Sequence, residues 1–142
     1  MPSFTIQLPN IQAIGPVVEV RIGVGAEVEK LLTNDSKPVP TAISAHAMID
    51  TGATSTVIRD DIAQKLGLQP VGVTFINTPS STNVRCYEYL VRLLFPDNVT
   101  VEATAISAPL QGQHIQCLVG RDILTRGVLI YIGYMNSFTL SF

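Results

Sequence analysis

Alternation of apolar and polar positions dominates the chain and predicts β-strands. It is clearest in SFTIQL at residues 3–8 and in PVVEVRIGVG at residues 16–25. In the first of these segments, Phe4, Ile6 and Leu8 share one face. A period of two is typical of half-buried strands, because successive side chains of a strand point to opposite faces. Both segments are therefore predicted to lie with one face on a core.

Strand patterns continue through most of the remaining sequence. Residues 42–50 are predicted to form one strand. Residues 71–95 hold two strand-like runs on either side of a tip rich in Pro, Ser and Thr, which indicates a long β-hairpin. A loop is predicted at residues 108–114. Further strands are predicted in NVTVEATAIS and IQCLVG, and VLIYIGYMNSFTLSF is predicted to form a hairpin that turns at residues 133–136.

Two short segments have the pattern of helices. RDDIAQKLG, at residues 59–67, has an apolar face, Asp60 or Asp61 as a candidate N-terminal cap, and a glycine that ends it. RDILTRG, at residues 121–127, predicts one or two helical turns. Residues 25–40 are polar in their second half and hold two prolines, so we predict a loop that opens with a short helical turn. The sum of these elements is an all-β fold with two short helices.

The composition is apolar for a chain of this size. Of 142 residues, 46% are hydrophobic and 14% are charged, and the mean hydropathy is +0.35. No segment approaches the roughly 18 consecutive apolar residues that a membrane-spanning helix needs. A well-filled β core and burial against another chain explain the apolar excess equally well. The length predicts a single domain spanning residues 1–142.

The charged residues and the potential metal ligands argue against several classes of function. The formal net charge is −2 and the nine Lys and Arg residues are scattered, so no nucleic acid or membrane partner is expected. His46 and His114 are isolated from acidic clusters, so neither a metal site nor a cofactor is expected. Cys86 and Cys117 lack metal-type spacing and are expected to be buried free thiols.

The N-terminal sequence gives an indication of the cellular compartment. MPSFTIQLPN lacks the basic n-region and the apolar h-region of a signal peptide, which favours a cytoplasmic location. The chain begins with Met1 and ends just after its last predicted strand. We therefore expect a free-standing cellular protein rather than a segment cut from a polyprotein.

One acidic residue, Asp50, lies in an otherwise uncharged stretch, AMIDTGATSTVI. An unpaired carboxylate buried there would be costly. As a bare tripeptide, Asp-Thr-Gly is most often a turn whose aspartate binds nearby backbone N–H groups. A phosphorylated aspartate of the haloacid-dehalogenase type would need a second acid where Gly52 stands, and an actin-like phosphate-binding turn would need two large lobes. The remaining alternative is half of an aspartic-protease site.

Features outside the tripeptide favour the protease half-site. Two hydrophobic residues precede Asp50, and a β-branched strand and a helix follow it. Downstream, CLVGRDIL supplies two hydrophobic residues, a glycine and a helical turn. With the hairpin between them, these motifs resemble the retropepsin family, the single-lobe aspartic proteases typified by retroviral proteases. The resemblance runs from about Phe4 to Phe142 and implies a closed β barrel or sandwich with one or two short helices and a flap hairpin.

The resemblance also implies roles for individual residues. Asp50 matches the catalytic aspartate, Thr51 the threonine whose hydroxyl reaches the partner chain's loop, and Gly52 the glycine whose backbone approaches carboxylate and substrate. Support of the active-site loop is expected from Thr51, Gly52, Ala53, Leu118, Val119 and Gly120. The flap, which would bind substrate, is expected at Asn77, Thr78, Pro79, Ser80, Ser81 and Thr82.

The sequence departs from the family pattern at two places. The hairpin tip contains no glycine, whereas flaps of the family are often glycine-rich. In retroviral members an aspartate pairs with the arginine of the downstream segment, but Thr54 occupies that position here. Arg121 is therefore expected to have a different partner.

The number of motif carboxylates predicts the assembly. Hydrolysis by paired aspartates needs two carboxylates that share one proton. Only Asp50, of six aspartates, lies in the motif, so one chain holds half a site and a two-fold homodimer would supply the other half. The family also interleaves terminal strands between subunits. The predicted function is an aspartic endopeptidase acting on peptide or protein substrates; the alternative is a non-catalytic protease-like dimerisation or peptide-binding module.

Overall fold

The computed structural model describes residues 1–110 and 114–142, so the predicted loop at 108–114 lies partly outside the described residues. The strands are β1 (Ser3–Gln7), β2 (Val17–Val24), β3 (Ile43–Ile49), β4 (Val57–Arg59), β5 (Gly72–Thr78), β6 (Ser81–Leu94), β7 (Thr100–Ala108), β8 (Cys117–Val119), β9 (Val128–Ile132) and β10 (Ser137–Ser141). The helices are α1 (Ile11–Ile14), α2 (Ala26–Asn34), α3 (Asp60–Lys65) and α4 (Arg121–Leu124), with 3-10 turns at Pro96–Asn98 and Gly133–Met135.

Six of the strands close into a barrel. Their order is β2-β3-β8-β4-β7-β6, and β6 pairs back with β2. The first half of β6 pairs with β5 and the second half with β7 and β2, so the predicted long hairpin projects from the barrel wall. The inward positions of the barrel are mainly Val, Ile, Leu and Ala, which is why the alternating pattern of the sequence identified these strands. The predicted all-β fold is confirmed.

A second sheet, in the order β1-β10-β9, contains both ends of the chain. β1 and β10 pair antiparallel along their whole length. Phe4 of this sheet stacks on Phe95 with 5.2 Å between ring centroids and meets Phe138 edge-on at 6.4 Å. All three rings are buried, so the terminal strands are part of the core. Among the described residues, β10 is paired on both sides within the chain, whereas β1 and β9 are each paired on one side.

The prediction of a loop at residues 25–40 was wrong in its first half, where the nine-residue helix α2 forms. Val28 and Leu32 are half-buried on one side of α2. A residue far away in the sequence caps the N-terminus of α2: the Ala26 N–H donates to the carboxylate of Glu102. Arg92 of β6 binds Glu29 at 2.8 Å. These long-range contacts stabilise a helix that local sequence alone supports weakly.

Two other features of the helices were missed or wrongly predicted. The short helix α1 was not predicted; the Asn10 side chain accepts a backbone N–H of its first turn at 3.2 Å, and Ile11 anchors it in the core. The prediction that an aspartate caps α3 was wrong. Arg59 is the capping residue, without a side-chain cap, and Asp60 and Asp61 lie in the first turn.

The carboxylate of Asp61 forms a local ion cluster at the start of α3. Arg59 Nε lies 2.5 Å and Lys65 Nζ 3.0 Å from its oxygens. The hydrogen bond from Arg59 is the largest cause that lowers the pKa of Asp61 from its ordinary value to about 2. Because the folded pKa is lowered, this contribution to stability is present above the ordinary pKa and is lost as the pH falls through about 2.

We expect Asp61→Asn to lower the free energy of unfolding by about 1 kcal/mol or less at pH 7, because the cluster is partly solvated. The difference from wild type should shrink between pH 4 and pH 2, the range set by the lowered pKa of Asp61. Urea denaturation at several pH values measures it. Asp60→Asn is the matched control, since Asp60 occupies the same helical turn. If Asp61→Asn lowers the free energy of unfolding equally at pH 7 and pH 2, the ion cluster is not the cause of the loss.

Both cysteines are free and buried, as predicted. Burial raises the pKa of the Cys86 thiol and raises that of Cys117 to about 12. Since the thiolate is the reactive form, both side chains are protected from oxidation and alkylation in the folded chain.

Candidate active site

Asp50 lies at the point where β3 leaves the barrel wall. The residue before it, Ile49, pairs in parallel with Val119 of β8, and the Asp50 N–H donates to the Val119 carbonyl at 2.9 Å. The chain then turns: the Ala53 N–H donates to the Asp50 carbonyl at 3.2 Å. Gly52 N–H donates to Asp50 Oδ1 at 2.9 Å. The Asp50 side chain is therefore fixed by its own turn at the end of the strand, half-buried in the single chain.

Gly52 and Gly120, the glycines of the two motifs, lie where an added Cβ would come too close to neighbouring atoms. A Cβ on Gly52 would lie 3.1 Å from Asp50 Oδ1, so substitution there would press on the carboxylate. A Cβ on Gly120 would lie 2.5 Å from the Ser55 carbonyl carbon and 2.9 Å from the Thr56 nitrogen. Gly120 is thus required for the close approach of the segment after β8 to the segment before β4.

A buried hydroxyl joins these same two segments. Thr56 is fully buried, accepts the Gly120 N–H at 3.1 Å and donates to Asp122 Oδ1 at 2.8 Å. Backbone bonds add to the link: Arg121 N–H donates to the Ala53 carbonyl at 2.8 Å, and Asp122 N–H donates to the Thr54 carbonyl. Sequence analysis missed the roles of Thr56 and Asp122. A threonine at a core-facing position of the strand pattern was the available signal, since a buried hydroxyl needs a partner.

Arg121 has partners that replace the aspartate found in retroviral members. Its Nη1 donates to the Thr51 carbonyl at 2.7 Å, and its Nη2 donates to Thr54 Oγ1 at 3.2 Å. The guanidinium therefore holds the Asp-Thr-Gly turn through neutral oxygens. The side chain of Thr51 itself is exposed in the single chain.

The expected supporting residues lie together around this turn. Val119 is fully buried and Leu118 half-buried in β8, where Leu118 pairs with Met48 on one side and Val57 on the other. The Asp-Thr-Gly turn therefore lies against the adjacent strands β3, β8 and β4. A turn supported by strands positions a carboxylate more precisely than a loop without such support does.

The hairpin tip expected to be a flap is ordered by its own side chains. Asn77 Oδ1 accepts the Asn83 N–H at 3.1 Å, and Thr78 Oγ1 donates to the Ser81 carbonyl at 3.3 Å. A register shift interrupts the β5–β6 ladder just before the turn, and Asn83 adopts a positive φ of 54°. Asparagine tolerates this left-handed conformation, so the tip turns without glycine.

A cavity of about 970 Å³ lies between the small sheet, α1 and the outer side of β2 and β3. It is mostly apolar, and Asp50 is not among the residues lining it. Along β3, His46 and Met48 line it, and alternation places them on the same side of the strand as position 50. Its other lining residues are Ile6, Leu8, Ala13, Ile14, Val17, Val18, Glu19, Pro96, His114 and Ile115.

The described ranges, 1–110 and 114–142, lack two other kinds of feature. Among those residues, no group of three or more His, Cys, Asp or Glu side chains is arranged to hold a metal ion. None of the helices found there has the length and apolar character needed to cross a membrane.

The barrel and the Asp-Thr-Gly turn packed against the Leu-Val-Gly segment define a retropepsin-like protein. The chain is similar to the crystal structure of a retropepsin-like aspartic protease from Rickettsia conorii, with a TM-score of 0.53 and 14% identity over 98% of this chain and 91% of that one. Residues 42–126 match the gag-polyprotein putative aspartyl protease family, and the chain belongs to that family. The comparison with curated proteins found no match. The predicted family is confirmed.

Proposed function

We propose that this protein is an aspartic endopeptidase that acts as a homodimer, with one Asp50 from each subunit in the active site. The observation that carries the proposal is a single motif aspartate on a turn that is bonded to β8 through its backbone and to Arg121 at the start of α4. Membership in an aspartyl protease family supports the reaction class. Because one chain offers one motif carboxylate, a two-fold axis beside Asp50 would complete the pair.

The proposed chemistry uses the two carboxylates as acid and base. One Asp50 is ionised and accepts a proton from a water molecule as its oxygen attacks the scissile carbonyl carbon. The other Asp50 is protonated and donates to the carbonyl oxygen, giving a tetrahedral diol. As the C–N bond breaks, the leaving nitrogen takes a proton from the first carboxyl group and a hydroxyl proton returns to the second. Two like charges this close cannot both ionise, so a shared proton is the stable state of the pair.

Substrate is proposed to bind as an extended peptide between the active-site turns and the hairpin tip, residues 77–82. Extended peptides bind such sites through backbone hydrogen bonds, with alternate side chains in pockets. The mostly apolar cavity lined by Met48, two residues before Asp50 in the chain, supports a preference for apolar side chains in the substrate. We place the protein in the cytoplasm, consistent with its two free thiols.

One feature favours a second candidate function, a non-catalytic peptide-binding or dimerisation module. The hairpin tip is fixed by side-chain bonds of Asn77 and Thr78 and has no glycine. A cleavage assay on a mixed peptide library, with and without the aspartic-protease inhibitor pepstatin, separates the two functions. We expect cleavage that pepstatin inhibits. Binding of peptides without any cleavage would favour the module.

The proposed dimer gives Thr51 a testable role. We expect Thr51→Ala to weaken dimerisation by roughly 1–3 kcal/mol, because its exposed hydroxyl would bond the partner's loop and leave an unpaired group when removed. Sedimentation equilibrium measures the dimer dissociation constant. Thr51→Ser keeps the hydroxyl and should have a much smaller effect. Equal dissociation constants for wild type and Thr51→Ala would rule out this role.

A further inference from the structure

Glu19 is the only acidic residue among the described residues that line the cavity of about 970 Å³. None of those lining residues is Lys or Arg, and most of them are apolar. His46 and His114 are the other titratable side chains in the lining, and like Glu19 they are exposed. The cavity therefore combines apolar walls with a carboxylate on its solvent side.

Strand pairing places this carboxylate next to the apolar part of the cavity. Val17 of β2 lies opposite Met48 of β3. Two residues further along β2, and so on the same face, Glu19 lies opposite His46. All four residues line the cavity. A ligand side chain that packs along Val17 and Met48 would therefore bring its end to the Glu19 carboxylate.

Within residues 1–110 and 114–142, Glu19 has no ion-pair partner. In those ranges, no Lys, Arg or His nitrogen lies within 4.0 Å of its carboxylate. Arg21 shares the outward face of β2 but is not among the described residues that line the cavity. Apolar walls lower the local dielectric constant, so a carboxylate beside them attracts a cation more strongly than one surrounded by water does.

Hydrogen bonds fix the cavity wall opposite Glu19. The His46 N–H donates to Gln116 Oε1 at 2.8 Å, and the Gln116 N–H donates to the His46 carbonyl at 2.9 Å. Gln116 Nε2 also donates to the His114 carbonyl at 3.2 Å. The segment 114–116 is thus tied to β3 at the residue that faces Glu19. A site that selects one kind of side chain requires such a fixed wall.

The cavity lies close enough to Asp50 to receive a side chain of a bound peptide. Met48 comes two residues before Asp50, roughly 7 Å away along an extended chain, and His46 is about 13 Å away. Lysine and arginine side chains pack their methylene groups along apolar surface and keep the charged end in water. Their shape and charge match a cavity with apolar walls and a carboxylate at its open side.

We propose that this cavity selects a lysine or arginine side chain of the substrate. The methylene groups lie along Val17 and Met48, and the cationic end pairs with Glu19. This inference rests on the proposed function and specifies which side chain the cavity takes, one with an apolar stem and a positive charge. Glu19 determines specificity and takes no part in the cleavage chemistry.

Cleavage of matched peptides at pH 7 tests the role of Glu19. The peptides derive from one sequence cleaved in the library and carry Lys, Met or Glu at each position within two residues of the scissile bond. At one of these positions, we expect wild-type kcat/KM to be about threefold higher for Lys than for Met and about tenfold higher for Lys than for Glu, as for a partly solvated ion pair.

Substitutions at position 19 should change this preference in a graded way. Glu19→Gln should remove most of the preference for Lys over Glu. Glu19→Lys should reverse it, because the cavity would then carry a positive charge. A reversal separates the effect of charge from misfolding, since a misfolded variant would lose cleavage of both peptides. Glu27→Gln, the same change at an exposed position in the first turn of α2, is the matched control and should keep the wild-type ratio.

Peptide binding to Asp50→Asn provides the same comparison without cleavage. The probes are fluorescently labelled hexapeptide mixtures that differ only in a Lys, Met or Glu fixed at the third position. We expect the mixture with Lys to bind most tightly and the mixture with Glu most weakly, measured by fluorescence anisotropy. Adding Glu19→Lys to Asp50→Asn should reverse that order.

The outcomes separate this inference from the proposed function. If wild type cleaves peptides and the ratio of Lys to Glu cleavage is the same in wild type, Glu19→Gln and Glu19→Lys, the role of Glu19 is overturned and the endopeptidase stands. If wild type cleaves no peptide, the proposed endopeptidase is overturned, and the order of binding alone decides the role of Glu19. Equal binding of the three mixtures would then overturn it.

Discussion

Replacement of Asp50 by asparagine is expected to remove peptide cleavage, lowering kcat/KM by at least about 10²- to 10⁴-fold. An amide cannot accept the proton of the attacking water at neutral or mildly acidic pH. Asparagine has the same shape, and its side-chain oxygen can still accept the Gly52 N–H that Asp50 Oδ1 accepts at 2.9 Å. The turn should therefore keep its structure while the chemistry is lost.

Steady-state cleavage of a fluorogenic peptide selected from the library measures this effect. Circular dichroism and sedimentation equilibrium should show an unchanged fold and dimer. Asp35→Asn is the matched control, since it makes the same substitution at an exposed position after α2. Full activity in the Asp50→Asn protein would place the chemistry at another residue.

Gly120→Ala is expected to lower the free energy of unfolding by about 3 kcal/mol or more. The new Cβ would lie 2.5 Å from the Ser55 carbonyl carbon and 2.6 Å from its oxygen, and backbone cannot rotate away as a flexible side chain can. The shift would also break the bond from Gly120 N–H to Thr56 Oγ1, leaving a buried hydroxyl without that partner.

Urea denaturation compares this variant with Gly23→Ala. Gly23 is also buried in a strand, but a Cβ there would meet Ala42 at 3.4 Å, an ordinary contact. We expect Gly23→Ala to change the free energy of unfolding much less. Similar losses in the two variants would show that close approach at Gly120 is not the cause.

Sequence could predict most of the barrel because each strand carries its own signal. Alternation marks β2 and β7, whose inward side chains fill the core. The Asp-Thr-Gly turn and the Leu-Val-Gly segment also stood out, because each places a glycine directly beside hydrophobic residues in a short, recognisable motif. Features that depend on residues adjacent in the chain are therefore accessible from the sequence alone.

The remainder depends on contacts between distant residues. Glu102 accepts a hydrogen bond from the N-terminus of α2, and Arg92 forms an ion pair with Glu29 of the same helix. The sequence around α2 predicts neither contact. The Thr56 hydroxyl has a hydrogen-bond acceptor only because the segment that follows β8 brings Asp122 beside it. The pairing of the two terminal strands within one chain was likewise outside the reach of periodicity, which identifies strands but not their partners.

Mixing of subunits tests the central proposal, a shared site with one Asp50 from each chain, most directly. Wild type and Asp50→Asn are equilibrated at constant total concentration, and cleavage is measured as the wild-type fraction varies. If both carboxylates are needed, activity follows the square of that fraction, about one quarter at an equal mixture. A linear decrease, with about one half of the activity at an equal mixture, would mean that each chain acts alone and would contradict the shared site.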